Sequence, residues 1–319
     1  MKILAIQNRM GIGDMVIFLP FIEAISKKFN SKVSILVKEN SKASEYLEKN
    51  KYIEKILILE RNNKNSYHDG IIGSFNHANE LKKHNFEKVF IFNSSLRFLL
   101  ICKIAGIKEI FQYQLFQKKQ QHLIKTAQSF IKKELDMDID SNPIIELENS
   151  LIENAKEKYN IKSNQINILL GIGGSGPTKR IPAYKFLNFM KMSVKEYDCK
   201  FFLATGLNDE EQNILNEILN SEFKQRCVAL DKIKIKETLP IIKNCTIAVC
   251  NDSSFSHLSA ALDIPTIVLL SDTPLMYGSY SPNMYPVIPD GEETVTHNTL
   301  GKEKINPEKI FKIFKEILN

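Results

Sequence analysis

Three short stretches of this chain combine residue types that could do chemistry. Gly11-Ile12-Gly13-Asp14 sets an acid directly after two glycines. Glycines let the backbone come close to a ligand, and the carboxylate could take a proton or cap the next helix. Gly171-Ile172-Gly173-Gly174-Ser175-Gly176 is rich in unhindered N–H groups and leads to the adjacent cations Lys179 and Arg180. Such a loop beside two cations suits a diphosphate, and equally a solvated basic turn. Asn251, Asp252 and Ser253 are good cap residues ahead of a helical pattern running through Ser254 and His257. Free N–H groups and the positive dipole end of such a helix attract phosphate. An ordinary strand-turn-helix in which Asp252 only caps, and His257 bonds a core carbonyl, would read the same way.

Each stretch stands between an apolar run and a helical pattern. The first follows a strand at 2–7 and precedes an amphipathic helix at 15–29, with Asp14 as its expected cap. The second follows a strand at 166–170 and precedes a helix at 182–197; the third follows a strand at 246–249 and precedes a strand at 264–270. Between them strands and helices alternate: strands at 32–37, 55–59, 88–92, 109–111 and 200–204, helices at 43–48, 78–84, 95–105 and 209–219. A polar loop is expected at 61–73, and a last amphipathic helix at 307–318. This alternation argues α/β architecture with doubly wound parallel sheets. The pattern loosens over 112–149, which places a domain boundary there.

Composition narrows the function classes. With 319 residues the chain is long enough for two cores, and 43% hydrophobic with 25% charged residues is ordinary for a globular protein. The longest apolar stretch, 98–107, contains Lys103 and is too short to span a bilayer, so a cytoplasmic location is expected. A net charge of +6 fits an anionic substrate or loose contact with an anionic membrane surface. No basic run interleaved with aromatics points to nucleic acid. Five cysteines without metal-ligand spacing read as buried thiols. Asp136, Asp138 and Asp140 read as a solvated linker rather than a metal site. Pro177 stands where a Walker loop needs its lysine, and it delays the helix that a dinucleotide fingerprint needs.

Taken together, Gly11-Ile12-Gly13-Asp14, Lys179-Arg180-Ile181-Pro182 and Asp252-Ser253-Ser254-Phe255-Ser256-His257-Leu258 resemble glycosyltransferase family 9, the heptosyltransferase family of lipopolysaccharide assembly. The resemblance spans nearly the whole chain, including 52–55 and the strand at 265–270. It implies the GT-B fold: two Rossmann-like, doubly wound domains facing a central cleft. Their expected bounds are 1–147 on the acceptor side and 148–304 for the nucleotide sugar, with 305–319 a helix packing back toward the first domain. It implies an inverting transfer without metal or other cofactor, from a nucleotide-sugar donor such as ADP-heptose to a lipid-linked or oligosaccharide acceptor. Such an enzyme works in the cytoplasm, peripheral to the inner membrane. By resemblance Asp14 matches the catalytic base and Lys179 the lysine on the donor phosphate. Arg180, Gly13 and the hydroxyl of Ser175 join the donor site, Glu210 matches the acid that holds the ribose, and Asp252, Ser253, Ser254 and His257 match the donor-binding helix start. Arg97 falls where many members carry an acceptor-side lysine. Ile181 replaces a usual Trp, Ser253-Ser254 a Thr-Gly, and Ser271-Asp272-Thr273-Pro274 a Gly-Pro-Thr; these departures bear on the donor. A non-catalytic nucleotide-sugar-binding protein would keep the clamp without needing Asp14. A GT-B-type sugar epimerase would need further acid and base groups that the motifs do not supply.

Overall fold

The computed structural model describes residues 1–9, 11–61, 66–115 and 122–319, and the chain divides into two compact units, Met1–Pro143 and Ile144–Asn319. The first holds β1 (Ile3–Ile6), α1 (Ile12–Phe29), β2 (Val33–Lys38), α2 (Ala43–Tyr46), β3 (Ile53–Leu59), α3 (Gly70–His84), β4 (Lys88–Ile91), α4 (Leu96–Ile104), β5 (Glu109–Gln112) and α5 (Leu123–Leu135). All its strand pairs are parallel, in the order β3-β2-β1-β4-β5. Such a sheet is covered on both faces, which is why its strands are apolar at nearly every position. Leu4, Ile6, Val89 and Ile91 pack beneath α3 and α4. Phe90 and Phe92 point the other way and meet Phe29 of α1 and Phe130 of α5.

Two local expectations change in this unit. Helix α1 starts at Ile12, so Asp14 lies inside the first turn and does not cap it. The cap position belongs to Gly11, whose φ of 98° is open to glycine and strained for other residues. Helix α3 begins at Gly70, inside the stretch expected to be a loop.

The second unit holds α6 (Asn149–Lys158), β6 (Ile166–Gly171), α7 (Ala183–Glu196), β7 (Cys199–Ala204), α8 (Asp209–Leu219), β8 (Cys227–Ala229), α9 (Ile235–Lys243), β9 (Ile247–Asn251), α10 (Ser254–Ala261), β10 (Thr266–Leu269), β11 (Met284–Val287) and α11 (Pro307–Leu318). Strands β8 and β11 and helix α9 add to the pattern read from the sequence. The order β11-β10-β9-β6-β7-β8, again all parallel, is the doubly wound dinucleotide-fold order. The strand order reverses between β6 and β9, and open α/β sheets bind ligands outside the carboxyl ends of the strands at such a switch point. Helix α11 packs within this unit: Phe314 is fully buried, with ring centroids 5.4 Å from Phe189 and 5.6 Å from Tyr197. The segment leading into α6 is tied to the same unit by the Ile145 N–H, which donates to the Ala261 carbonyl at 2.8 Å.

Candidate functional site

At the switch point of the second sheet, the loop after β6 meets the turn after β9. Asn251 ends β9 and its amide donates to the carbonyls of Ile172 and Gly173 at 2.9 and 3.1 Å, lacing the two together. Gly171 and Gly173 are required by that closeness. A Cβ on Gly171 would stand 2.6 Å from Cys250 Sγ, and one on Gly173 would stand 2.5 Å from Glu211 Oε1. From this loop Lys179 reaches back, and its Nζ lies 2.7 Å from Asp252 Oδ2. His257, one turn into α10, presents Nε2 at 3.7 Å from Asp252 Oδ1, while its Nδ1 pairs with the Tyr280 hydroxyl at 2.8 Å. Tyr280 also stacks on His257, with ring centroids 5.7 Å apart. Burial alone would push the Asp252 carboxyl up; the hydrogen bond and charge of His257 and the Lys179 ammonium outweigh it and hold it well below the ordinary carboxylate range. Burial and the Asp252 charge push the Tyr280 phenol far up, so it stays protonated.

Arg180 takes the other side of the loop. Its Nε donates to the Gly174 carbonyl at 3.0 Å and its Nη1 pairs with the exposed Glu210. Glu211, not Glu210, turns inward. Asn208 caps α8 by accepting from the Glu211 N–H at 3.0 Å, which puts Glu211 at the third helical position, where a side chain folds back over the cap. Its buried carboxylate accepts the Gly174 N–H at 2.8 Å and so pins the glycine loop. Ser175 is exposed at the loop's outer bend. Ser253 and Ser254 open α10; Ser256 returns its hydroxyl to the Ser253 carbonyl at 2.8 Å. The contact of Ser253 Oγ with the helix falls short of a hydrogen bond.

Polar atoms left over collect at this edge. Thr205 Oγ1, Asn251 Oδ1, Ser253 Oγ and Thr273 Oγ1 are buried without a hydrogen-bond partner among the described residues. Native interiors pair such atoms, and several unpaired ones along one strand edge mark a place for a polar ligand. Thr205 follows β7, and Thr273 lies in the loop after β10, whose Ser271 hydroxyl donates to the Thr178 carbonyl at 2.8 Å.

In the first unit Asp14 faces Arg9, whose Nε donates to its Oδ1 at 3.1 Å. Gly13 lies in the same first turn of α1. Asn8 and Asn93, from the ends of β1 and β4, are hydrogen-bonded at 3.0 Å across that sheet's own switch point. Arg97 donates to the His68 carbonyl at the start of α4. Sequence reasoning brings Lys179, Asp252 and His257 together as the structure does. It misses Arg9, Glu211, Asn251 and Tyr280; only Asn251, a polar residue closing an apolar run, carries a local signal. Asp136 and Asp138 bond Lys132 at 3.1 and 2.9 Å on the surface.

Two parallel-sheet α/β domains, each with polar groups gathered at its switch point, define a GT-B protein. The chain belongs to glycosyltransferase family 9 (heptosyltransferase), whose family model matches residues 79–304, and it is a glycosyltransferase. Among curated relatives, lipopolysaccharide heptosyltransferase 1 of Campylobacter coli is 24% identical over 99% of both chains. Lipooligosaccharide heptosyltransferase 2 of Haemophilus influenzae is 29% identical over 36% of this chain and 32% of its own. Two solved structures share the fold. The family 9 glycosyl transferase of Veillonella parvula superposes with a TM-score of 0.80 at 18% identity, over 99% of this chain and 97% of the other. ADP-heptose lps heptosyltransferase II of E. coli superposes with 0.71 at 18% identity, over 100% and 98%.

Proposed function

We propose that this chain transfers heptose from a nucleotide-diphosphate sugar to a lipopolysaccharide-type acceptor, with inversion and without a metal ion. ADP-heptose is the favoured donor, since the E. coli neighbour is named for it. The observation that carries the reading is the set of unpaired buried polar atoms at the carboxyl edge of the second sheet, where Lys179 is held on Asp252. Lys179, Arg180 and the free N–H groups at the start of α10 bind the two phosphates. Ser253 and Thr273 supply hydroxyls to the same oxygens. In the transfer step the acceptor hydroxyl attacks the anomeric carbon from the face opposite the diphosphate. Its proton goes to the Asp14 carboxylate, and the sugar–oxygen bond breaks with its electron pair leaving on the nucleoside diphosphate. Charge grows on the departing phosphate, so cations fixed there before the reaction lower the barrier. Arg9 orients the base through its 3.1 Å contact.

Calorimetric titration with a panel of nucleoside diphosphates and their sugars tests the donor half. One nucleoside diphosphate and its heptose conjugate should bind, with affinity unchanged by EDTA. Binding of none, or binding abolished by EDTA, overturns the reading.

A further inference from the structure

Helix α4 carries apolar side chains on two opposite sides. Phe98, Ile101 and Cys102 are buried beneath it, while Leu96, Leu100 and Ile104, spaced four apart on the opposite side, are about half exposed. An apolar stripe on the outward side of a helix whose inner side is already buried is normally covered by something. Beside it, α3 opens with Ile71 and Ile72, 79% and 77% exposed, and with Phe75; Tyr67 precedes it, also half exposed. The two helices pack side by side on one face of the first sheet and begin at its carboxyl edge, the edge that carries the Asn8–Asn93 pair. Together they form an exposed apolar strip, and single-chain proteins seldom leave such strips facing water.

The charges around the strip identify its partner. Helix α4 contains Arg97 and Lys103 and no acid. Helix α3 continues its outer stripe from Ile72 and Phe75 to the exposed Lys82 and Lys83, and its one acid, Glu80, is bonded to His68 at 2.7 Å. A second copy of the chain docked here would set this basic patch, with Lys82, Lys83 and Lys103, against a copy of itself, because a two-fold interface pairs a patch with itself. An anionic lipid surface accepts both the apolar side chains and the lysines. We propose that the outer face of α3 and α4, with Tyr67, seats the protein on an anionic phospholipid bilayer. This names the surface on which a lipid-linked acceptor is met; it rests on the transferase reading for its purpose but not for its test.

The full chain is floated with vesicles of phosphatidylcholine containing about 30% phosphatidylglycerol, and with vesicles of phosphatidylcholine alone. The wild type should bind the anionic vesicles, weakly bind the neutral ones, and release as salt is raised. The pair Leu100→Gln with Ile104→Gln should weaken anionic-vesicle binding at least tenfold, with nucleotide affinity and melting temperature unchanged. The exposed pair Lys82→Glu with Lys83→Glu gives a second readout and should remove the preference for anionic lipid. A wild type that stays with the supernatant, or variants that bind as well as it does, overturn the proposal. A wild-type dimer that the Leu100 and Ile104 changes split into monomers also overturns it and makes the strip an interface between copies. Loss of vesicle binding in the variants, in a protein that transfers no sugar, would support the docking surface and refute only the transferase reading.

Discussion

Replacing Lys179 with alanine removes the cation from a 2.7 Å pair whose other member, Asp252, is buried. Two losses follow, and they can be separated. A hydrogen bond to a charged group contributes about 1.5–3 kcal/mol, so losing the one to the donor phosphate should weaken donor binding roughly ten- to a hundredfold. The fold also suffers, because Asp252 keeps its charge with only His257 nearby. A fully buried broken pair costs about 3–5 kcal/mol; Lys179 is partly exposed, so about 1–3 kcal/mol and a melting temperature lower by roughly 3–10 °C are expected. Adding Asp252→Asn removes the stranded charge and should return much of the melting temperature while donor affinity stays low. The pH profile reports the same group. The Asp252 carboxyl titrates lower in the folded chain than its unfolded value of about 3.9, so its contribution is complete at neutral pH and is lost as pH falls through the folded value. Lys179→Ala should shallow that acid limb. Titration calorimetry with the bound nucleotide diphosphate, beside thermal melts from pH 3 to pH 7, reads both losses. Unchanged affinity in Lys179→Ala would refute the clamp, and full donor binding in the double variant would mean that the cation matters only to the fold.

Three further outcomes are expected. Tyr280→Phe leaves His257 Nδ1 without its 2.8 Å partner and should weaken donor binding by about three- to tenfold; an unchanged dissociation constant would leave Tyr280 with packing alone. Glu211→Ala frees the Gly174 N–H and opens space beside Gly173 and Gly206, so stability should fall by about 1–3 kcal/mol in chemical denaturation, and Glu210→Ala should fall by much less. Burial pushes the Cys199 and Cys227 thiols up to about 12, so a thiol reagent at pH 8 should label the native chain far more slowly than the denatured one; fast labelling would place those sulfurs in reach of solvent.

Much of the architecture was legible because buried parallel strands must be apolar and must be separated by helices. Strands β8 and β11 escaped because one is three residues long and the other reads Met-Tyr-Pro-Val, without a β pattern. The sequence suggests a cap at Asp14 because Ile12 and Gly13 look like loop; the positive φ at Gly11 lets the helix start at Ile12 instead. The choice between Glu210 and Glu211 depends on helix register. Asn208 as cap puts Glu211 over the glycine loop and Glu210 outward on Arg180, and two adjacent acids cannot show that in sequence. Tyr280 reaches His257 from 23 residues away through the loop after β10, a contact made by topology and not by spacing.

The most direct test of the account is turnover of Asp14→Asn with the identified donor and a lipopolysaccharide-type acceptor, measured beside donor affinity. Because Gly11 and not Asp14 occupies the cap position, the change keeps the shape; it removes the favourable charge in the first turn, about 0.3–1 kcal/mol of stability, and the charge of the Arg9 pair. It also removes the proton acceptor. The account predicts that kcat falls by about 10²–10⁴ while donor affinity holds and the melting temperature moves little. An Asp14→Asn enzyme as active as the wild type would contradict it.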